Sequence, residues 1–250
     1  MIVDALVIAG ENRFRAGHEL SEHIRVARRV GIDGLVAAPG RPIDYHLGPA
    51  NDALAAAAET ADIPVARLGR VDPLDGDRCL AEAARCLDEL GCAGLFLHPG
   101  EEAFAVRVAG ELIALAADRE VPVVIAAGVY ALSEPLQLLD LARAHPSATI
   151  VMTSGGQINI SGLGLIDAVF ALERAPNLSV MTNGEYRQDF IERLATDLDP
   201  KRVLAGSFSP YFDMDYERRR VASARIQPDV RLLVEGDNAI RLFKLTASTT

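Results

Sequence analysis

Side chains able to bind a ligand or move a proton fall in short polar stretches, each just after an apolar run. His98 and Glu101 follow GLFL, Arg41, Asp44, Tyr45 and His46 follow GLVAA, and Tyr130 follows PVVIAAG. Ser154, Gln157 and Asn159 follow TIVM, while Asn183, Glu185 and Tyr186 follow LSVMT. Ser207, Ser209 and Tyr211 follow RVLA, and Glu11, Asn12 and Arg13 come after the first run. Histidine changes charge near neutrality. His98 is therefore the candidate acid or base, with Glu101, Asp44 or Tyr130 as the second titratable group such chemistry requires. Arg41 has the planar fork that clamps a carboxylate. The glycine pair after Ser154 lets backbone amides approach an anion, or makes a plain turn. Arg41, His46, Tyr130, Ser154, Gln157, Asn183 and Tyr211 form the candidate binding set. The competing reading is that His98 bonds backbone, Arg41 lies on the surface, and the loops are polar because they are wet.

Several other chemistries lack their residues. There is no nucleophile elbow, phosphate loop or dinucleotide fingerprint. Cys79, Cys86 and Cys92 are an odd number without a CxxC, which is neither a disulfide framework nor a zinc site. Cys79 and Cys86 are seven apart on one expected helix face, where small buried hydrophobes fit.

The elements that must position these groups alternate. Short Val-, Ile- and Leu-rich runs at Ile2 to Ile8, Gly34 to Ala38, Val65 to Leu68, Gly94 to Leu97, Val121 to Ala126, Thr149 to Met152, Leu178 to Thr182 and Arg202 to Ala205 read as strands buried on both faces. Amphipathic segments lie between them, such as Asp77 to Leu90, Gly110 to Arg119 and Pro135 to Ala144. Gly31, Gly91, Pro122, Pro146 and Pro176 stop the helices. Asp213 to Arg225 and Pro228 to Leu245 read as closing helices. Eight such units in about 250 residues are the size of a (β/α)8 TIM barrel. A doubly wound open sheet is the rival, because periodicity does not report closure.

The chain has 250 residues, half of them hydrophobic, and a formal net charge of -10. An acidic surface repels phosphates, which argues against nucleic-acid or anionic-membrane partners. Arg218, Arg219 and Arg220 are the only basic triplet and read as a solvated helix face. The amino terminus MIVDALVIAG lacks a basic flank and a cleavage site. No apolar run reaches the ~20 residues of a membrane helix. A soluble, cytoplasmic protein, one domain over residues 1–250, is expected.

Three stretches carry a resemblance: IVDALVIAG at the start, RVDP with the later GCAGLFLHPG in the middle, and RVLAGSFSP with EGDNAIRLFKL at the end. Together they resemble the amidohydrolase-related family of metal-dependent hydrolases, which includes aminocarboxymuconate semialdehyde decarboxylase and other nonoxidative decarboxylases. The resemblance implies a (β/α)8 barrel whose strand ends grip a divalent metal. It also implies where the ligands belong. Asp4 matches the aspartate of the first motif, but its two histidines are replaced by Leu6 and Ile8. Ala126 stands at the fifth-strand histidine, Thr153 (or Ser154, one residue later) at the sixth, and Phe208 at the eighth-strand aspartate. Leu, Ile, Ala and Phe offer no lone pair, and His98 alone among five histidines lies at a strand end. No cofactor is expected.

The resulting expectation is a degenerate family barrel without the metal site. Such a pseudoenzyme would bind a small molecule, or act as a partner subunit in a homo-oligomer or a hetero-oligomer with an active relative. A metal-independent hydrolase or lyase for a small carboxylic acid, with His98 as acid or base, is the alternative. An ordinary metallohydrolase with displaced ligands is the third.

Overall fold

The computed structural model describes residues 1–156, 163–185 and 187–246. Its strands are β1 Val3–Ala9, β2 Gly34–Pro39, β3 Val65–Arg70, β4 Gly94–Leu97, β5 Pro122–Ile125, β6 Thr149–Met152, β7 Leu178–Met181 and β8 Val203–Leu204. Its helices are α1 Leu20–Val30, α2 Leu47–Glu59, α3 Asp77–Asp88, α4 Pro99–Glu102, α5 Gly110–Asp118, α6 Pro135–Ala144, α7 Leu163–Arg174, α8 Gln188–Asp197, α9 Met214–Ser223, α10 Pro228–Leu232 and α11 Asn238–Phe243. All strand pairs are parallel and follow chain order from β1 to β8.

Closure decides between the two architectures. The end of β1 meets the segment after β8 through a Val7–Ser209 bridge. Ala5 N–H donates to Ala205 O at 2.9 Å, Phe208 N–H to Leu6 O at 2.7 Å and Ile8 N–H to Ser209 O at 2.7 Å. The sheet is a (β/α)8 barrel, and the open doubly wound sheet is excluded. Among the described residues no helix is long and apolar enough to cross a membrane.

Successive strand side chains point to opposite faces. Val36, Ala38, Leu68, Phe96, Val124, Val151 and Met181 belong to the cluster that fills the barrel. Leu95, Leu97, Val123, Ile125, Ile150 and Val180 belong to the cluster beneath the helices. A register shift between Asp4 and Val7 puts both Ala5 and Leu6 in the inner cluster.

The last helix departs from the expected Pro228 to Leu245 span. A π-helical turn, Leu233–Asp237, separates α10 from α11. It presses backbone against the chain start: a Cβ on Gly236 would lie 2.0 Å from Met1 O. Ala205 N–H donates to Val234 O at 2.8 Å, so this turn braces β8. The arginine triplet is also not a uniformly solvated face. Arg220 is buried against Glu217 at 2.9 Å and Arg218 pairs with Glu235 at 3.1 Å.

Candidate functional site

His98 follows β4 and begins α4, its Nδ1 accepting from Glu101 N–H at 3.2 Å. Aromatic rings enclose it: Phe96 and Tyr211 at 6.0 Å between centroids and Phe208 at 5.9 Å. Burial pushes the imidazole down to about 4, against the pull of Glu101, so it is neutral at physiological pH. Tyr211 O–H donates to Glu101 and accepts from Asn12 Nδ2 at 3.1 Å. Burial and the Glu101 charge push that phenol up. The Glu101 carboxyl lies below its usual range: burial opposes ionisation, but His98, Arg70 and the Tyr211 hydrogen bond outweigh it.

The charged centre of the mouth is Arg70, which the sequence reading did not single out. It ends β3 on the inward phase set by Leu68, and that phase was the available signal. Its guanidinium donates to Glu102 at 2.6 and 3.0 Å, to Glu101, and to Pro39 O at 3.2 Å. It lies 5.4 Å from the centre of the Phe96 ring. Glu102 is so enclosed that burial pushes it up to about 6 despite Arg70. Arg41 joins from β2's loop, 3.3 Å from Asp72 and 3.4 Å from Glu102, beneath the Tyr45 ring. Its Nε and Nη1 make no hydrogen bond. Two guanidinium groups thus face three carboxylates, and the cluster is net negative.

The remaining candidate residues scatter. Ser154 and Asn183 are buried and mutually bonded, Ser154 N–H to Asn183 Oδ1 at 3.1 Å and Asn183 Nδ2 to Ser154 Oγ at 3.0 Å. His46 is exposed, 3.5 Å from Asp44. It lines a separate cleft of about 240 Å³ with Glu11, Glu19 and Leu54. Tyr130 is 83% exposed on the rim. Gln157, Asn159 and Tyr186 lie outside the described residues. His23 is buried inside α1 with its Nε2 2.8 Å from Ile8 O, a structural histidine.

The positions that the resemblance assigns to metal ligands are filled with packed side chains. Leu6, Ile8, Ala126 and Phe208 are buried in the inner cluster. Phe208 stacks on Tyr211 at 4.6 Å and meets Phe96 edge-on at 6.0 Å. Thr153 is fully buried, its Oγ1 accepting from Ala127 N–H at 3.1 Å. Among the described residues no group of three or more His, Cys, Asp or Glu side chains is placed to hold a metal. This donor set does not fit a divalent ion.

A family model described as Amidohydrolase matches residues 29–245. The chain belongs to the amidohydrolase family. Solved structures share its fold. An uncharacterised TIM-barrel protein from Bordetella bronchiseptica superposes with a TM-score of 0.78 at 20% identity, over 97% of this chain and 98% of that one. For 2,6-dihydroxybenzoate decarboxylase from Rhizobium the values are 0.76, 15%, 97% and 98%. For a dihydroxybenzoic acid decarboxylase from Polaromonas, with bound manganese and 2-nitroresorcinol, they are 0.75, 14%, 97% and 96%. No curated protein matches the sequence.

Proposed function

We propose that this chain is a catalytically silent amidohydrolase-family barrel, a cytoplasmic binding subunit that associates through the rim of its mouth with another barrel of the family. That barrel is a second copy or an active relative. The carrying observation is the interlocked apolar packing of Leu6, Ile8, Ala126 and Phe208 where the family's ligands would converge. Filling that space with stacked rings removes both the donors and the room for a metal-bound water. His98 above them is neutral and enclosed, and the guanidinium groups beside it are already matched by carboxylates. The rim supports association. Phe14, Ile43, Tyr45, Leu74, Val108 and Tyr130 are all exposed, and all lie in the connections that follow β1 to β5. Apolar groups repeated around one face mark a contact surface. The acidic surface and three free cysteines suit the cytoplasm.

A second reading has one observation behind it. Tyr211, Glu101 and His98 form a continuous chain of titratable groups, as metal-independent proton transfer on a small carboxylic acid requires. One experiment separates the two. The protein, purified without chelator, is analysed for metal by elemental mass spectrometry and assayed with hydroxybenzoates, with and without added manganese. Substoichiometric metal and no turnover are expected. Manganese-dependent turnover would overturn the silent reading. Metal-independent turnover lost in His98→Ala would establish the second.

A further inference from the structure

The three cysteines are not equivalent. α3 stops at Asp88, and the chain then folds back on its last turn: Leu90 N–H donates to Arg85 O at 3.1 Å and Cys92 N–H to Cys86 O at 3.0 Å. This return sets Cys92 directly beside Cys86, backbone bonded to backbone. Cys92 precedes β4, at the amino end of that strand and opposite the mouth. Cys86 is fully enclosed. Its sulfur is 3.5 Å from Glu82 Oε1, and a Cβ on Gly69 would lie 2.8 Å from it. Cys92 instead lines an open pocket of about 590 Å³ together with Arg67, Gly91, Val121 and Lys244. Arg67, on β3, reaches past Gly91: its Nη2 lies 2.9 Å from where a Gly91 Cβ would stand.

This geometry divides the labour between the sulfurs. The neighbouring Cys86 thiol lowers the Cys92 thiol against the opposing effect of burial, and the Arg67 guanidinium adds to the lowering. The neighbouring Cys92 and burial raise Cys86. The thiolate is the nucleophile, so the outer sulfur attacks and the inner one waits. Cys79, also on α3, is pushed up to about 12 by burial and serves as an internal control.

We propose that Cys92 and Cys86 form a thiol–disulfide exchange site whose ligand is a low-molecular-weight disulfide entering through the pocket beside Arg67. The Cys92 thiolate attacks one sulfur of the small disulfide. That S–S bond breaks, one small thiolate leaves, and a mixed disulfide remains on Cys92. Cys86 then loses its proton and attacks the Cys92 sulfur, expelling the second small thiolate. The protein dithiol is oxidised by two electrons and the small disulfide is reduced to two thiols, which carry away the two protons. The new bond pins the Leu87 to Gly91 turn to the end of α3.

The test uses the full-length native protein and dithiobis(nitrobenzoate), with oxidised glutathione as a second probe. Wild type is expected to release two equivalents of thionitrobenzoate and to finish lighter by two hydrogens, without an adduct. Cys86→Ser should release one equivalent and retain the adduct. Cys92→Ser should lose the rapid phase, slowing by about tenfold or more. Peptide mapping of oxidised wild type should join Cys86 to Cys92 and leave Cys79 free. A wild type that retains the adduct, a rapid phase that survives Cys92→Ser, or a disulfide mapped to Cys79 would each overturn the proposal. Should a variant fail to fold, the wild-type stoichiometry and map decide alone.

Discussion

At the scale of single residues, the apolar packing at the barrel mouth sets both strain and charge. Phe208 occupies left-handed backbone at φ 58°, where a bulky side chain is strained by about 1 kcal/mol or more. An aspartate tolerates that conformation better. The ring is held there by its contacts with Tyr211, Phe96 and His98, so packing outweighs local strain. Asp4 is buried, and its work is structural. Its Oδ1 accepts from Ser207 N–H at 2.7 Å and Leu6 N–H at 3.2 Å, tying β1 to the turn after β8. Its Oδ2 is buried without a partner. Burial outweighs the Ser207 hydroxyl and those two bonds, and pushes the carboxyl up from 3.8 to about 6. Glu217, nearby on α9, is pushed up to about 7, first by burial, with the Asp4 charge adding to the rise. A raised folded-state pKa means that the folded protein binds the proton more tightly than the unfolded chain. The stabilisation is complete below the unfolded value near 4 and is lost as pH rises through about 6. Asp4→Asn should therefore gain on wild type by roughly 2–3 kcal/mol between pH 4 and 8, since each pKa unit is worth about 1.4 kcal/mol. Urea unfolding of both proteins at the two pH values checks it. A wild type that gains on the variant as pH rises would show that Asp4 is stabilised as an anion.

At the scale of elements, the strand ends hold the mouth in shape by close backbone approach. Gly40 follows β2, and a Cβ there would lie 2.2 Å from Glu11 O and 3.0 Å from Asn12 Cβ. The same crossing is sealed by Gly40 N–H to Ala9 O at 2.9 Å and Arg13 N–H to Arg41 O at 2.7 Å. Gly40→Ala must push the loop after β1 outward, and Asn12 then loses its place on the Tyr211 hydroxyl. A loss of about 1–3 kcal/mol is expected, the usual cost of forcing an extra carbon into packed structure. The sequence has no tryptophan and five tyrosines, so the difference in tyrosine emission between Gly40→Ala proteins with and without Tyr211→Phe isolates the Tyr211 signal, read alongside the denaturation midpoint. An unchanged midpoint and spectrum would show that the two loops do not depend on each other. These elements were legible to different degrees. β4 and β6 are as expected from their apolar runs, and the other strands shift by a residue or two, because propensity marks an apolar run but not its last ladder bond. Closure was not legible, since it rests on backbone bonds between residues some two hundred positions apart, such as Ala5 to Ala205. The break in the last helix was hidden because Leu233 to Asp237 keeps helical spacing while its backbone widens. Arg70 was overlooked for the opposite reason. Its charge suggested surface, whereas Glu101 and Glu102, supplied by the next loop, make its burial tolerable.

At the scale of the molecule, a net charge of -10 and an apolar rim act against each other. Like charges keep copies apart over about 8 Å at physiological salt. Apolar side chains favour contact at roughly 25 cal/mol per Å² buried. Association through the rim should therefore strengthen as salt rises, whereas an interface held by ion pairs would weaken. Ile43 is 58% exposed and Tyr130 is 83% exposed, on the connections after β2 and β5, so neither supports the core. The double variant Ile43→Glu with Tyr130→Glu should change stability by no more than about 0.5 kcal/mol per site. It should also stay monomeric at every salt concentration, because each new carboxylate would have to be desolvated in the contact. Size-exclusion chromatography with light scattering, run on both proteins at low and high salt, reads the outcome. Self-association of wild type that grows with salt and vanishes in the variant would place the contact on the mouth. Identical elution of the two proteins would remove the rim as an interface between copies. An active relative captured by wild type but not by the variant would then identify the rim as a hetero-oligomer contact, and equal capture by both would dismiss the rim altogether.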